Sequence, residues 1–236
     1  MFGLRRSEGT ESLFEARLVQ ASVWTSQSVD AIARTLRAIV DERGSAAFGI
    51  SGGSTPVPVF EALADADVPW GDVTLVQVDE RCVPLGDPAR NLTSQQAALG
   101  ATDATWLTLP VGDDGAVPDT AQLAEFAASL DAATNGTGSL DLVQLGLGAD
   151  GHTGSLVPGD PVLDVDAVVA VTDAVYAGHR RVTLTIPTLQ AAHAVVWLVT
   201  DVDGEKARAY EKLRAGDPSI PAGRLELADS LVIAAR

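Results

Sequence analysis

The stretch Leu145–Pro158 concentrates the residue types that can do proton chemistry in this chain. Asp150 and His152 supply a carboxylate and an imidazole with one residue between them, and such a pair can move a proton near neutral pH. The glycines around them let the main chain turn sharply and approach a ligand. The apolar run Ser139–Leu145 predicts a buried strand, and ligands bind at the carboxyl ends of such strands. We therefore predict that Leu145–Pro158 is an active-site loop.

Two other interpretations of this stretch compete with the first. The glycines of Gly146–Gly151 have the spacing of a dinucleotide-binding fingerprint, with an acidic residue about 20 residues further on. Pro158 and Pro161 interrupt the helix that this fingerprint requires, so we do not expect a dinucleotide here. In the second interpretation, His152 only caps a neighbouring carbonyl in a glycine-rich turn. Taken alone, the stretch leaves that second interpretation open.

A second candidate site is Ser51-Gly52-Gly53-Ser54-Thr55-Pro56, between the predicted strand Ala46–Ile50 and a predicted helix. Thr55 suits the N-cap and Pro56 the first helical position, so free main-chain N–H groups would face a ligand above the strand. With the helix dipole, these groups predict an anion site, most naturally for a phosphate. The Gly-Lys-Ser/Thr ending of a nucleotide P-loop is missing. A well-capped turn without a ligand is the alternative.

Charged residues also follow the predicted strand Val73–Val78, which runs into Asp79-Glu80-Arg81-Cys82-Val83-Pro84. These two acids and the arginine either orient sugar hydroxyls and an anion or form a solvated ion-pair cluster. Asn91, at the start of the predicted helix Asn91–Leu99, can reach back to the same ligand. Cys82 is interpreted as a packed side chain, because no histidine lies near it in sequence to activate the thiol.

Composition narrows the classes of partner. The 236 residues carry a formal net charge of −16, which repels nucleic acid and acidic membranes, so we expect neither as a partner. No apolar run is long enough to span a membrane, and charges occupy the N-terminal region where a signal peptide needs an apolar core, which predicts a cytoplasmic protein. The single cysteine excludes an intramolecular disulfide, and no Cys/His cluster has zinc-ligand spacing. Because Lys206 and Lys212 are the only lysines, an anionic ligand must be held by a few placed cations and by main-chain N–H groups.

Strands and helices that must position these residues alternate along the chain. We predict strands at 17–24, 46–50, 73–78, 105–111, 139–145, 167–172, 181–186 and 194–200, and helices from Ser26 or Ser28 to Gly44, after Pro56, and at 91–99, 119–132 and 203–213. This order predicts an α/β fold, a single domain over residues 1–236 in which a mostly parallel sheet is covered by helices on both faces. Residues 1–11 are predicted to be a loose tail.

Four motifs, in this order, resemble those of the 6-phosphogluconolactonase family: Gly49–Pro56, Val78–Pro84, Leu145–Gly159 and Arg181–Thr185. The resemblance covers about Val23–Lys212 and implies the fold shared with glucosamine-6-phosphate deaminase and ribose-5-phosphate isomerase. It implies hydrolysis of 6-phosphoglucono-1,5-lactone to 6-phosphogluconate in the pentose phosphate pathway. No cofactor and no metal are implied, and the expected partner is the small phosphorylated sugar lactone, bound by a monomer or a weak homo-oligomer.

The resemblance also implies residue roles. His152 is the general base for water, Asp150 orients it, and the same ring returns a proton to the departing ring oxygen. The residues expected to bind substrate are Gly52, Gly53, Ser54 and Thr55 on the phosphate, with Arg181 and Lys206 as its cations, then Asp79 and Asn91 on the sugar, and Gly151 in the glycine-rich loop. Arg81 also faces the sugar. The donor to the developing oxyanion is either Arg81 or a main-chain N–H of the glycine-rich loop.

The chain departs from the family pattern just before Arg181. Family members usually carry prolines there, whereas this chain has Ala177-Gly178-His179-Arg180. The departure leaves open how Arg180 and Arg181 divide their roles, and it makes His179 a second candidate for the site. The tail after Arg214 matches the family poorly and receives no role.

Two alternative functions follow from the same fold. A deaminase-isomerase acting on glucosamine-6-phosphate is disfavoured, because Val157 stands where the deaminase has a glutamate and Arg81 where it has a tyrosine. A non-catalytic sugar-phosphate sensor would keep the phosphate loop and lose the groups that transfer protons. Retention of Asp150 and His152 disfavours that sensor.

Overall fold

The fold is built on a parallel sheet whose strands alternate with helices. A computed structural model describes residues 14–226 and 230–235, and the predicted tail 1–11 lies outside them. The strands of the described residues are β1 (Phe14–Val19), β2 (Ala46–Ile50), β3 (Val73–Gln77), β4 (Asp79–Arg81), β5 (Thr105–Leu107), β6 (Leu142–Gly146), β7 (Val169–Val171), β8 (Arg181–Leu184), β9 (Val195–Val199) and β10 (Ser230–Ala235). Seven of them form one sheet in the order β1-β10-β9-β6-β2-β3-β5, with every pair parallel.

Helices cover both faces of this sheet. They are α1 (Ala21–Arg43), α2 (Val57–Ala64), α3 (Asn91–Leu99), α4 (Thr120–Ala133), α5 (Ile186–Gln190) and α6 (Ala207–Arg214). Leu36 of α1 and Phe60 of α2 pack in one apolar cluster with Phe48 of the sheet. Phe126 of α4 and Leu213 of α6 belong to a second cluster on the other side of the sheet. The predicted α/β class, with a mostly parallel sheet covered on both faces, is confirmed.

A second, small sheet branches from the carboxyl end of β3. It has the order β4-β8-β7, and both of its strand pairs are antiparallel. Val78 joins the two sheets, because its N–H donates to Ile50 O at 3.0 Å and its carbonyl accepts from Leu184 N at 2.8 Å. The sequence predicted only charged residues at the end of the strand Val73–Val78, with no second strand after it. These residues instead form β4, with Arg81 directly opposite Arg181.

The predicted first strand, 17–24, is wrong at its C-terminal end. The strand stops at Val19 and α1 begins at Ala21, because the buried helical stripe already starts at Trp24. The Trp24 indole N–H donates to Ile233 O at 2.9 Å, which ties α1 to β10. Ser28 does not cap the helix, since it is buried within α1 and its hydroxyl donates to Trp24 O at 2.8 Å. Gly44 ends α1 as predicted, at φ +82°.

The segment after Arg214 completes the main sheet. Strand β10 lies between β1 and β9, and its residues 231–235 are fully buried hydrophobic side chains. The sequence analysis gave this segment no role, because its family signal is weak. The predicted strand 105–111 is also shorter in the structure, ending at Leu107. Within the described ranges, no helix combines the length and the apolar character needed to cross a membrane.

Candidate active site

The predicted site segments emerge at one edge of the main sheet. Ile50, at the end of β2, pairs with Gln77 of β3 and with Gln144 of β6. The three segments that follow these strands therefore leave the sheet side by side, as parallel neighbours must. They are Ser51–Pro56, Val78–Arg81 and the loop after Gly146. Lys206 follows β9, the other neighbour of β6, and comes to the same edge.

Asp150 and His152 form a hydrogen-bonded pair in the loop after β6. His152 Nδ1 lies 2.6 Å from Asp150 Oδ1, and the His152 main-chain N–H donates to the same oxygen at 3.1 Å. The His152 side chain is 26% exposed and the Asp150 side chain 37% exposed. Gly148 makes this approach possible, because a Cβ at that position would lie 2.1 Å from His152 Nδ1. With Nδ1 held by the carboxylate, Nε2 is the ring nitrogen left for a substrate or a water.

Tyr176 is a third member of this cluster that the sequence analysis did not name. Its hydroxyl donates to Asp150 Oδ2 at 3.0 Å and lies 3.3 Å from His152 Nδ1. The Tyr176 and His152 rings meet edge to face, with centroids 5.3 Å apart. In the sequence, only the departure from the family pattern at residues 177–180 could have drawn attention to Tyr176, since no motif includes this tyrosine.

The hydrogen bonds of this cluster control the ionisation of Asp150. Burial opposes its charged form, but the hydrogen bonds from the His152 main chain and ring and from Tyr176 outweigh that effect, and the pKa of Asp150 is lowered. Burial raises the pKa of the Tyr176 hydroxyl, and its hydrogen bond to Asp150 raises it further. At neutral pH, Asp150 is therefore a carboxylate and Tyr176 a hydrogen-bond donor.

Arg181 connects this cluster to the small sheet. It is only 4% exposed, and its guanidinium lies 4.9 Å from the centre of the Tyr176 ring. Its Nη1 donates to Ser155 Oγ at 3.4 Å, and Ser155 Oγ donates to Asp79 Oδ2 at 2.6 Å. Burial lowers the pKa of Arg181, and the charge of Arg81 across the sheet adds to that effect. Its buried Nε has no hydrogen-bond partner among the described residues.

The neighbouring arginine points to a different part of the protein. Arg180 donates to the carbonyl of Thr172 through Nε at 3.3 Å and through Nη2 at 3.1 Å. These bonds stabilise the hairpin between β7 and β8. The structure thus separates the two arginines, with Arg181 alone joined to Asp79 and Tyr176. His179 contacts this cluster through its main chain, which exchanges hydrogen bonds with the main chain of Tyr176.

The predicted sugar-facing residues lie together and reach the phosphate loop. Asn91 Nδ2 donates to the Asp79 carbonyl at 2.9 Å, and Arg81 Nη1 donates to the Ala89 carbonyl at 2.7 Å. A Cβ at Gly52 would lie 1.9 Å from Asn91 Oδ1, so only glycine fits there. Asp79 and Asn91 are almost fully buried, and their orientation is fixed before a ligand binds.

Glu80, next to Asp79 in sequence, bonds to other parts of the fold and stabilises it. It is fully buried, and its carboxyl oxygens accept from the main-chain N–H groups of Arg81 at 2.7 Å, Asn91 at 2.7 Å and Leu92 at 2.8 Å. Gln77 Nε2 supplies a fourth donor at 2.9 Å. Burial raises the pKa of Glu80 despite these donors. Glu80 thereby caps α3 and fixes Asn91 beside Gly52.

The phosphate loop has a different cap from the predicted one. Pro56, not Thr55, is the N-cap of α2, and no side chain caps the helix. Because Pro56 has helical dihedral angles itself, the chain turns into the helix without needing the Thr55 hydroxyl. Ser51 is tied down instead, since its N–H and its hydroxyl both donate to Gln144 Oε1 at 3.1 Å. Gly53 and Ser54 stay exposed.

Lys206 is half-buried at the N-cap of α6. Burial lowers the pKa of its ammonium, and the charges of Asp201 and Glu205 oppose that shift. No hydrogen bond joins this ammonium to the phosphate loop or to Arg181 within the described part of the chain. The structure therefore places Lys206 at the same sheet edge as the other predicted phosphate-binding residues, without a hydrogen bond to them.

A cleft of about 200 Å³ opens beside Asp150. Its lining comes from the loop after β6, from α6 and from the turn before the last strand: Ala149, Asp150, Arg208, Ala209, Lys212 and Ile220. Arg208 and Lys212 are cations one helical turn apart that the sequence analysis did not assign. Ile220 packs against the loop after β6, because a Cβ at Gly151 would lie 2.5 Å from Ile220 Cβ.

The structure also bears on the cofactor alternatives. Residues 147–160 form turns and contain no helix, which excludes the strand-to-helix arrangement of a dinucleotide fingerprint. Among the described side chains, no group of three or more His, Cys, Asp or Glu residues could hold a metal ion. Cys82 is half-buried, and burial raises the pKa of its thiol, opposite to the shift of an activated nucleophile.

Comparisons with known proteins agree with this geometry. Residues 20–233 match the family model described as glucosamine-6-phosphate isomerases/6-phosphogluconolactonase. A Homo sapiens protein named GDH/6PGL endoplasmic bifunctional protein is 35% identical over 75% of this chain, and the match spans 24% of that protein's length. A Synechocystis 6-phosphogluconolactonase is 32% identical over 80% of this chain and 81% of its own. A solved 6-phosphogluconolactonase from Shewanella baltica has a TM-score of 0.78 and 27% identity, covering 95% of this chain and 97% of its own.

Proposed function

The chain belongs to the glucosamine-6-phosphate isomerase/6-phosphogluconolactonase family, and on that premise we propose that it hydrolyses 6-phospho-D-glucono-1,5-lactone to 6-phosphogluconate in the pentose phosphate pathway. The observation that carries the proposal is the 2.6 Å contact between His152 Nδ1 and Asp150, at the sheet edge that also presents the phosphate loop. Residues 1–236 act as one domain without a cofactor, as a monomer or weak homo-oligomer. The cytoplasmic location stays a prediction.

His152 and Asp150 carry out the proton transfers. Asp150 holds the proton on Nδ1, so the lone pair of Nε2 takes a proton from water while that water oxygen bonds to the lactone carbonyl carbon. When the tetrahedral intermediate collapses, the bond from that carbon to the ring oxygen breaks. The imidazolium then gives its Nε2 proton to the departing ring oxygen, which becomes a hydroxyl. His152 ends neutral, ready for the next water.

The remaining predicted residues bind the two ends of the substrate. Main-chain N–H groups of residues 52–55 and the cations Arg181 and Lys206 hold the phosphate. The Asp79 carboxylate accepts hydrogen bonds from the sugar hydroxyls, and the Asn91 amide both accepts from them and donates to them. The buried, unpartnered Nε of Arg181 supports an anionic ligand at this point.

Arg81 is the favoured donor to the developing oxyanion. The competing donors are main-chain N–H groups of the glycine-rich loop. The Gly151 N–H already donates to Gly148 O at 3.0 Å, and the Gly148 N–H donates to His152 O at 2.9 Å. Those two groups have partners, and Arg81 keeps guanidinium N–H groups beyond its bond to Ala89. Gly151 then contributes the shape of the loop, at φ +86°, more than a hydrogen bond.

The deciding experiment is a pair of assays on the purified protein. The first follows 6-phosphogluconate formed from fresh lactone, with spontaneous hydrolysis subtracted and His152→Ala as the control. The second measures ammonia from glucosamine-6-phosphate, the reaction of the other branch of the family. The buried Val157 offers no proton where that branch has a glutamate, so we expect no ammonia. Saturable ammonia release at a rate comparable to lactone hydrolysis would refute the proposed function.

A further inference from the structure

A tight hairpin turn fixes the position of Tyr176. Between β7 and β8, Ala177 and Gly178 both have positive φ angles, +48° and +87°. Tyr176 and His179 flank them and exchange two main-chain hydrogen bonds, of 3.0 Å and 3.2 Å. This is the pattern of a two-residue hairpin turn whose twist matches that of the flanking strands. The main chain of Tyr176 is thereby fixed before any ligand arrives.

The side chain of Tyr176 contacts both functional halves of the site. Its hydroxyl donates to Asp150 Oδ2, which leaves Oδ1 to His152 Nδ1. Its ring faces the guanidinium of Arg181, and its carbonyl accepts from Arg181 Nη2 at 3.2 Å. Cation–π attraction to this buried arginine favours the observed position of the ring. One side chain therefore spans the phosphate cation and the proton-transfer pair.

We propose that Tyr176 is a positioning residue that couples Arg181 to the Asp150–His152 pair. The inference rests on the proposed function and deepens it. By occupying Oδ2, the Tyr176 hydroxyl orients the Asp150 carboxylate so that Oδ1 faces the imidazole. It also takes a share of the carboxylate charge, which limits how strongly Asp150 stabilises the imidazolium form of His152. Phosphate bound at Arg181 would hold the Tyr176 ring, and hence the pair, in the productive arrangement.

Other charged groups lie around the Asp150–His152 pair, and the Tyr176→Phe substitution leaves them in place. They are Arg181 on β8, beside Tyr176, and Arg208 and Lys212 on α6, which line the same cleft as Asp150. Tyr176→Phe removes the hydroxyl and keeps the ring against Arg181. The full charge of Asp150 then acts on the imidazole, which favours its protonated form. The acid limb of the kcat/KM profile is expected to move to higher pH.

The experiment compares three variants with the parent enzyme. Tyr176→Phe should lower kcat about three- to tenfold, the worth of one hydrogen bond of ordinary strength, while KM stays within about twofold. Tyr176→Leu also removes the face of the ring from Arg181 and should raise KM for the phosphorylated lactone. Tyr210→Phe is the matched control, because this tyrosine also lies near an arginine, Arg214, but outside the Asp150 cluster. It should leave kcat and the pH profile at parental values.

A second readout is independent of lactonase activity. The NMR titration curve of the His152 ring, recorded without substrate, should move to higher pH in Tyr176→Phe and not in Tyr210→Phe. An unmoved curve and an unmoved acid limb would overturn the coupling role, even if kcat falls. If the parent itself hydrolyses no lactone, the proposed function fails, and the ring titration still decides the role of Tyr176.

Discussion

Two carboxylate clusters stand at the same edge of the sheet and differ in almost every physical property. The frame cluster consists of Gln77, Glu80, Asn91 and Leu92. The dyad cluster consists of Asp150, His152, Tyr176 and Arg181. In the frame cluster, Glu80 is fully buried and accepts four hydrogen bonds. In the dyad cluster, the Asp150 side chain is 37% exposed and bonds to a titratable ring.

The difference shows which carboxylate can take part in chemistry. Both oxygens of Glu80 are used by donors of the fold, so a substrate would have to break a helix cap to reach them. Asp150 instead directs one oxygen at His152 and leaves the Nε2 atom of that ring for water. Burial dominates Glu80 and raises its pKa, whereas hydrogen bonds prevail at Asp150 and lower its pKa. The raised pKa of Glu80 is thus a marker of structure, and the geometry supports the proposed role of Asp150.

The largest expected effect is in the dyad cluster. His152→Ala should lower kcat by about 10²- to 10⁴-fold, the usual contribution of a positioned acid-base group, with the free energy of unfolding nearly unchanged. Steady-state rates and urea denaturation of the same preparations measure both quantities. His193→Ala, which removes an exposed imidazole outside the site, should match the parent in kcat. Turnover by His152→Ala within about threefold of the parent would remove the distinction between the two clusters.

The reverse pattern is expected in the frame cluster. Glu80→Ala leaves buried N–H donors of Asn91 and Leu92 unpaired, and it should lower the free energy of unfolding by about 3 kcal/mol. At a temperature where the variant is folded, its kcat should stay within about tenfold of the parent, because no proton passes through Glu80. Urea denaturation with a matched activity assay tests both parts. A fully stable variant that has lost all turnover would place Glu80 among the chemical groups.

Phosphate capture should give a smaller and more selective loss. Lys206→Ala and Arg181→Ala should each lose about 1.5 to 3 kcal/mol of transition-state stabilisation, the worth of a charge-assisted hydrogen bond. This loss is measured as the fall in kcat/KM for the phosphorylated lactone. Arg180→Ala is the matched control for Arg181→Ala, since Arg180 bonds to the Thr172 carbonyl and not to the Asp150 cluster.

The unphosphorylated lactone separates the two cations from each other. Lys206→Ala should leave its hydrolysis unchanged, because this substrate has no phosphate to hold. Arg181→Ala should slow it modestly through Tyr176, and by less than it slows the phosphorylated lactone. Equal losses of Lys206→Ala on both lactones would show that Lys206 acts on the fold or on the carbonyl instead.

Much of the fold was accessible from the sequence, because local patterns report local elements. Residues 91–99 are a helix with the predicted bounds, and 46–50 a strand. Predictions failed where tertiary contacts outweigh local pattern. The end of β1 was placed too late, because Trp24 looks strand-like but packs on the sheet from a helix. The last strand was missed, because its place between β1 and β9 is decided by pairing across the whole chain.

The candidate site divides in the same way. The residue types of the glycine-rich loop pointed to Asp150 and His152, and a family motif pointed to Arg181. The structure places these three in one cluster. Tyr176 was missed, because its role depends on where a hairpin turn directs one ring. The difference between Asp79 and Glu80 was also invisible, since adjacent residues on a strand point to opposite faces. Only the structure shows that Asp79 faces Ser155 whereas Glu80 faces the start of α3. Their roles in catalysis stay predictions.

The smallest expected effect is also the sharpest contrast between the two carboxyl groups, because their pKa shifts have opposite signs. The raised pKa of Glu80 means that the folded protein binds this proton more tightly than the unfolded chain does. Its contribution to stability is therefore complete below the ordinary value of 4.5 and is lost as the pH rises through the folded pKa. The lowered pKa of Asp150 reverses the sign, so its contribution to stability is present above pH 3.8 and is lost as the pH falls through its folded pKa.

Urea midpoints measured from pH 3 to 7, as differences between the parent and each variant, should separate the contributions of Glu80 and Asp150 from those of the other acids of the chain. Relative to the parent, Glu80→Gln should lack the decline above pH 4.5, and Asp150→Asn should lack the decline below pH 3.8, the latter being weaker because solvent screens a half-exposed carboxylate. If both variants changed the same pH range, the two carboxyl groups would share one environment and the contrast drawn from their burial would fail.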